Sequence, residues 1–92
     1  MPLIEVARAA TQGEALAGLD RWKARHPQAA AHLAPADILV DSMRGRSSTW
    51  TRIRLNLRGV PPDLRPPQEA LEVDYDPWVA DPRNTPGATS TP

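Results

Sequence analysis

Five arginines and a tryptophan, Arg44, Arg46, Trp50, Arg52, Arg54 and Arg58, fall within 15 residues of this chain. A guanidinium is a permanent cation with a planar fork of donors that matches two oxygens of a phosphate or carboxylate. An indole offers a flat apolar face that stacks on an unpaired base or a duplex end. The run Ser48 to Val60, STWTRIRLNLRGV, alternates with period two. As a strand it points Trp50, Arg52, Arg54, Asn56 and Arg58 one way and Thr51, Ile53, Leu55 and Leu57 the other. Together these residues could recognise phosphates, with no group among them suited to making or breaking bonds.

A competing reading keeps the charges within the fold. Asp37 and Asp41 fall on the matching face of the preceding strand, where cross-strand pairs with Arg52 and Arg54 would form and Trp50 would lie over an arginine stem. Two acids cannot neutralise the six arginines between Arg44 and Arg65. That leaves positive charge for a phosphate or a protein partner.

The remaining polar residues point to no reaction. Asp37 and Asp41 are four apart on a strand, too far for paired acid and base work and too few for a metal cage. Glu72, Asp74 and Asp76 alternate in an extended segment and read as an acidic arm that closes on the domain. His26 and His32 flank a helix break without clustered acids, so helix-end packing accounts for them. Ser42, Ser47 and Ser48 lack a Gly-x-Ser-x-Gly setting, and the lone Arg-Gly-Arg is a charged turn without a phosphate loop. No catalytic residue, metal ligand or cofactor is expected, and the chain is read as a non-enzyme.

Elements that would position the basic residues follow from periodicity and punctuation. Leu3 to Arg8 reads as a strand with Ile4 and Val6 inward. Thr11-Gln12-Gly13-Glu14 is a capping box that opens a helix from Gly13 to His26. Leu16, Leu19 and Trp22, with Ala15 and His26, form its apolar stripe, and Asp20, Arg21, Lys23 and Arg25 the other side. Pro27 ends that helix and begins a short second one, PQAAAHL. Ala36 to Met43 reads as a second strand with Ile38 and Val40 toward the core. Arg44 to Ser48 is a hairpin connection in which Gly45 supplies a positive φ. The order is β-α-β-β, an α+β domain with one main helix on a small, mainly antiparallel three-stranded sheet. The expected core joins Ile4, Val6, Leu16, Leu19, Ile38, Val40, Ile53, Leu55 and Leu57.

After Val60, Pro61-Pro62 and Pro66-Pro67 favour extended, unpaired backbone. Residues 61 to 79 read as a Pro-rich arm, its 68–79 stretch packing on the domain through Leu71, Val73, Tyr75 and Trp78. Residues 1 to 79 then form one domain, and 80 to 92 a disordered tail with nothing to bury.

At 92 residues one domain fits, burying only about 60–65% of its unfolded surface, which favours a shallow functional face over a deep pocket. Absence of cysteine removes disulfides and thiolate zinc sites. The start MPLIEVARAATQGEAL lacks a signal-peptide core and no stretch is long enough to span a bilayer, so a cytoplasmic, nucleoid-associated protein without a membrane partner is expected. Formal charge is zero overall, yet residues 44 to 65 carry six arginines against Asp63, while residues 66 to 81 carry only acids. The arm would then compete with phosphates for the basic face.

The segments LVDSMRGRSSTW, RIRLNL and RPPQE to DYDPW, within residues 2 to 78, resemble a family of actinobacterial nonhomologous end-joining proteins. In particular the chain resembles the C-terminal accessory segment that follows their primase-polymerase domain, which is related to the polymerase domain of DNA ligase D. The resemblance implies an accessory module of DNA double-strand break repair. It carries over no catalytic residue, since neither the polymerase's aspartate pair nor the ligase's adenylated lysine motif is present. Thr51 stands where the family pattern would have an aromatic, which leaves stacking to Trp50. The expected partner is DNA, through its phosphate backbone or ends, held by Arg44, Arg46, Trp50, Arg52, Arg54 and Arg58. The alternative is docking of a repair polymerase or ATP-dependent DNA ligase through Pro66, Pro67, Tyr75 and Trp78. No small-molecule substrate is expected.

Overall fold

The computed structural model describes residues 2–45 and 48–76. Arg46, Trp78 and the 80–92 tail therefore lie outside the described residues. Strand β1 (Leu3–Ala9) leads into helix α1 (Gln12–Arg25) and a single-turn helix α2 (Pro27–Ala30). A 3-10 turn (Pro35–Asp37) enters β2 (Ile38–Arg44), and β3 (Thr49–Asn56) follows the hairpin. The sheet is antiparallel in the order β1-β3-β2. This is the expected α+β architecture, with β3 central because its alternate residues are the most apolar.

Local chemistry explains the element ends. The Thr11 hydroxyl accepts the Glu14 amide at 3.2 Å and donates to the Glu14 carboxylate at 3.0 Å, so the acid holds the cap through its side chain. Pro27 at the first turn of α2 cannot continue the α1 ladder. In the hairpin the Gly45 amide donates to the Ser48 carbonyl at 2.7 Å. Gly45 has a negative φ, contrary to the sequence expectation.

The core is a single cluster of Ile4, Val6, Ala7, Ala9, Ala15, Leu19, Trp22, Ala29, Ile53, Leu55, Leu57 and Val60. Three expected members are displaced from it. Leu16 and Val40 are each 38% exposed, and Ile38 is only half-buried. The reason is position: α1 packs mainly on β1 and β3, so the core side of β2 is less covered, with Ile38 half-buried against the cluster.

Two further departures change the functional face. The alternation of β3 ends at Asn56, which is buried and accepts the Arg58 amide at 3.0 Å to start a 3-10 turn, Leu57–Gly59. Asp37 precedes β2 and is buried, its carboxylate accepting the Ala34 amide at 3.1 Å and the Arg58 Nε–H at 2.9 Å. Asn56, Arg58 and Asp37 therefore close a corner of the domain and are not on the basic strand face.

The arm is also re-placed. It joins the free edge of β1 through Glu72 N to Val6 O, Arg8 N to Val73 O and Tyr75 N to Arg8 O, at 2.8–2.9 Å, with a parallel bridge between Arg8 and Asp74. Gln68 supports it by accepting the Glu5 amide and donating to the Glu5 carbonyl. Gly18 allows the close approach: a methyl there would meet Glu72, Ala7 and Val73 carbons at 3.2–3.3 Å. Glu72 and Glu69 turn to the helix, where Glu72 pairs with Arg21 and Arg25, and Glu69 with Arg25 and His26. Those acids bind α1 because its last turns carry the cations that face the arm, and they do not cover the sheet.

Candidate functional site

The side of the sheet away from α1 carries the basic residues. Register places Arg52 between Arg8 of β1 and Asp41 of β2, Arg54 between Glu5 and Leu39, and Trp50 beside Met43. Each of these side chains is partly accessible. The surface is a shallow plane with arginines at its centre and an indole and a thioether toward the hairpin.

Arg8 reaches this plane through a β-bulge. Pairing runs from Glu5–Arg54 to Ala7–Ile53 with Val6 as the extra residue. In a regular strand positions five and eight would face opposite sides; the inserted residue puts both on the outer face. Glu5 and Arg8 then form a two-pronged ion pair, Nε to Oε2 at 2.8 Å and Nη2 to Oε1 at 3.0 Å. This hydrogen bond raises the Arg8 guanidinium above its ordinary pKa against an opposing burial effect, with lesser contributions from the charges of Glu5, Asp74 and Asp76. Of the arm acids, Asp74 and Asp76 are the ones that act on the basic face.

Asp41 sits between two guanidiniums. Its Oδ2 accepts from Arg54 at 2.9 Å and from Arg52 at 3.5 Å. The Nε atoms of both arginines are shielded from water and lack a hydrogen-bond partner. Like-charged Arg8 and Arg52 also stand directly opposite each other across the β1–β3 ladder. Three guanidiniums, Arg8, Arg52 and Arg54, face Glu5 and Asp41, with the charges of Asp74 and Asp76 acting on Arg8. Donors thus exceed what the face satisfies for itself, and an oxyanion is the ligand that would take them up.

Sequence reasoning placed Trp50, Arg52 and Arg54 on this face with Arg44 in the adjoining turn; the structure brings the first three together, and register sets Arg44, opposite Thr49, on the other face of the sheet. It removes Arg58 to the Asp37 corner and adds Arg8. The signal for Arg8 was a conflict: strict alternation in LIEVAR sends Arg8 inward with Ile4 and Val6, a cost that an extra residue relieves. Pro66 is half-buried, Pro67 exposed, and Tyr75 half-buried with its amide bound to Arg8. They lie on the arm and form no joint surface with Trp50 and the arginines.

A smaller cavity, about 250 Å³, opens near the α1–α2 junction, lined by Arg25, His26, Pro27, Gln28, Ala29 and Leu64. Arg25 and His26 are both engaged by Glu69, so its charged groups are already paired. Among the described residues no helix is long and apolar enough to cross a membrane. No family model matches this chain, and neither a curated protein nor a solved structure does.

Proposed function

We propose that this chain is a non-catalytic DNA-binding module that holds phosphates on the open sheet face, and that it serves double-strand break repair by end joining. The observation that carries the binding reading is that Arg52 and Arg54 share one acceptor, Asp41, with Arg8 directly across the ladder from Arg52 and two Nε–H groups unpartnered. Arginine forks of this kind suit the non-ester oxygens of a phosphodiester. Trp50, beside Met43 at the hairpin end, adds a surface on which an unpaired base or a duplex end stacks. The repair setting rests on the resemblance of LVDSMRGRSSTW, RIRLNL and RPPQE to DYDPW to end-joining primase-polymerase proteins.

Docking of a repair polymerase or ATP-dependent ligase through Pro66, Pro67 and Tyr75 is less favoured, because the arm that carries them is bound along β1 and α1. The test is a backbone and side-chain NMR titration with a 5′-phosphorylated duplex bearing a short overhang. Shifts confined to Arg8, Trp50, Arg52 and Arg54 are expected. Shifts confined to α1 and the arm, or none at low salt, would overturn the reading.

A further inference from the structure

The arm grips β1 at its bulge. The Glu5 amide donates to Gln68 Oε1 at 2.8 Å, and the Glu5 carbonyl accepts from Gln68 Nε2 at 2.7 Å. The Val6 carbonyl accepts the Glu72 amide at 2.8 Å. Arg8 is held at both backbone groups, its amide by the Val73 carbonyl at 2.8 Å and its carbonyl by the Tyr75 amide at 2.9 Å. Val6 is the extra residue of the bulge, with Glu5 before it and Arg8 after it. Arm contacts thus converge on the irregularity that brings Arg8 to the outer face.

Little else in β1 holds that irregularity in place. The bulge changes the phase of burial: Ile4 and Val6 are buried up to it, Ala7 and Ala9 beyond it. Each alanine brings only one methyl to the core, so apolar burial specifies the second phase weakly. Charge opposes it, because Arg8 and Arg52 stand directly across the ladder from each other and like charges so placed repel. Loss of the bulge would send Glu5 and Arg8 to opposite faces. Backbone bonds from the arm offset that repulsion while leaving the Arg8 side chain on the face.

We infer that the arm is a positioning element of the basic face, with Gln68 as a positioning residue: by holding the backbone of Glu5, Val6 and Arg8, it keeps Arg8 beside Arg52, where two guanidiniums can share one oxyanion. Its consequence for binding rests on the phosphate reading of that face, whereas the placement of Arg8 is measured without any ligand. A role as competitor for the face has the opposite sign. The arm does carry Asp74 and Asp76, whose charges act on Arg8, and an arm that mainly competed with phosphate would tighten binding when loosened.

The test pairs Gln68→Ala with Arg8→Ala in the full chain. Gln68 is exposed, and its substitution removes both bonds to Glu5 while Glu69 and Glu72 keep their pairs with α1. The thermal unfolding midpoint should therefore stay close to wild type. Without nucleic acid, the NMR resonance of the Arg8 Nε–H, bonded to Glu5 at 2.8 Å, is expected to exchange faster with water in Gln68→Ala. That of the Arg58 Nε–H, bonded to Asp37, should not change. With a labelled, 5′-phosphorylated overhang duplex, Gln68→Ala is expected to weaken binding and to reduce the log–log salt slope from about −3 to about −2, as Arg8→Ala does. It should add nothing to Arg8→Ala in the double variant, because both act through one guanidinium. An unchanged Arg8 resonance in Gln68→Ala would overturn the inference whatever the face binds, as would tighter binding or losses that add in the double variant. A wild type that binds no duplex would strike the phosphate reading alone, and the Arg8 resonance would still decide whether the arm sets the bulge.

Discussion

At the scale of single residues, the basic face and the Asp37 corner use arginine for opposite ends, and substitution separates them. Arg58→Ala leaves the buried Asp37 carboxylate without its guanidinium, a loss of about 1–3 kcal/mol. Its unfolding midpoint should fall by several degrees while DNA affinity stays near wild type. Arg8→Ala removes a half-exposed pair with Glu5, worth at most about 1 kcal/mol, and should weaken DNA binding as Arg54→Ala does. Asp41→Asn keeps an acceptor oxygen but removes the negative charge shared by Arg52 and Arg54, so affinity measured by fluorescence anisotropy should rise several-fold. An unchanged or lower affinity would show that Asp41 holds the guanidiniums in place for the ligand and does not compete with it. The sequence revealed Trp50, Arg52 and Arg54 because period two is robust inside a regular strand. It misplaced Arg58 because Asn56, a residue able to cap a turn, stands where the alternation stops.

At the scale of elements, the arm acts as a clasp on β1 and α1. Gly18→Ala would push Glu72, Ala7 and Val73 apart by a few tenths of an ångström. Helix propensity alone favours alanine by about 1 kcal/mol. Hydrogen exchange should therefore show α1 as protected as before, and the Glu72 and Tyr75 amides exchanging faster. Acid should loosen the same clasp. The hydrogen bond to His26, followed by the bond and charge of Arg25, lowers the Glu69 pKa against a partial opposing burial effect. A carboxylate with a lowered folded-state pKa contributes stability above its unfolded value, and loses it as pH falls through the folded one. Arm amides should hence gain exchange, after correction for intrinsic rates, as pH drops below the ordinary glutamate range of about 4.3. Retained protection there would place the hold of the arm in its backbone bonds to β1. The mid-helix Gly18, to which the sequence reading gave no role, carried the one local sign of close approach. Which element approached was not legible, because the short alternation from Leu71 to Asp76 marks an extended segment without naming the edge it joins, and prolines precede it.

At the scale of the whole molecule, the fold separates two kinds of charge that cancel in the total. The acids Glu69 and Glu72 neutralise the cations at the end of α1, while the arginines of β3 and β1 remain on the opposite layer with Glu5 and Asp41, and with Asp74 and Asp76 acting on Arg8. Fold class, strand order along the chain and most of the core were readable from apolar spacing and the Thr11 cap. The lateral position of α1 was not, since periodicity fixes which face of a helix is buried and says nothing of which strands it covers. That placement leaves Val40 and Leu16 exposed and the far side of the sheet open for ligand. The central claim, that this open face binds phosphates, meets its most direct test in fluorescence anisotropy of a labelled, 5′-phosphorylated overhang duplex titrated at several salt concentrations. Arg8, Arg52 and Arg54 together predict a log–log slope of about −3, and a collapse of binding in the Arg52→Ala, Arg54→Ala double variant. Binding that ignores salt or survives the double variant would contradict the claim.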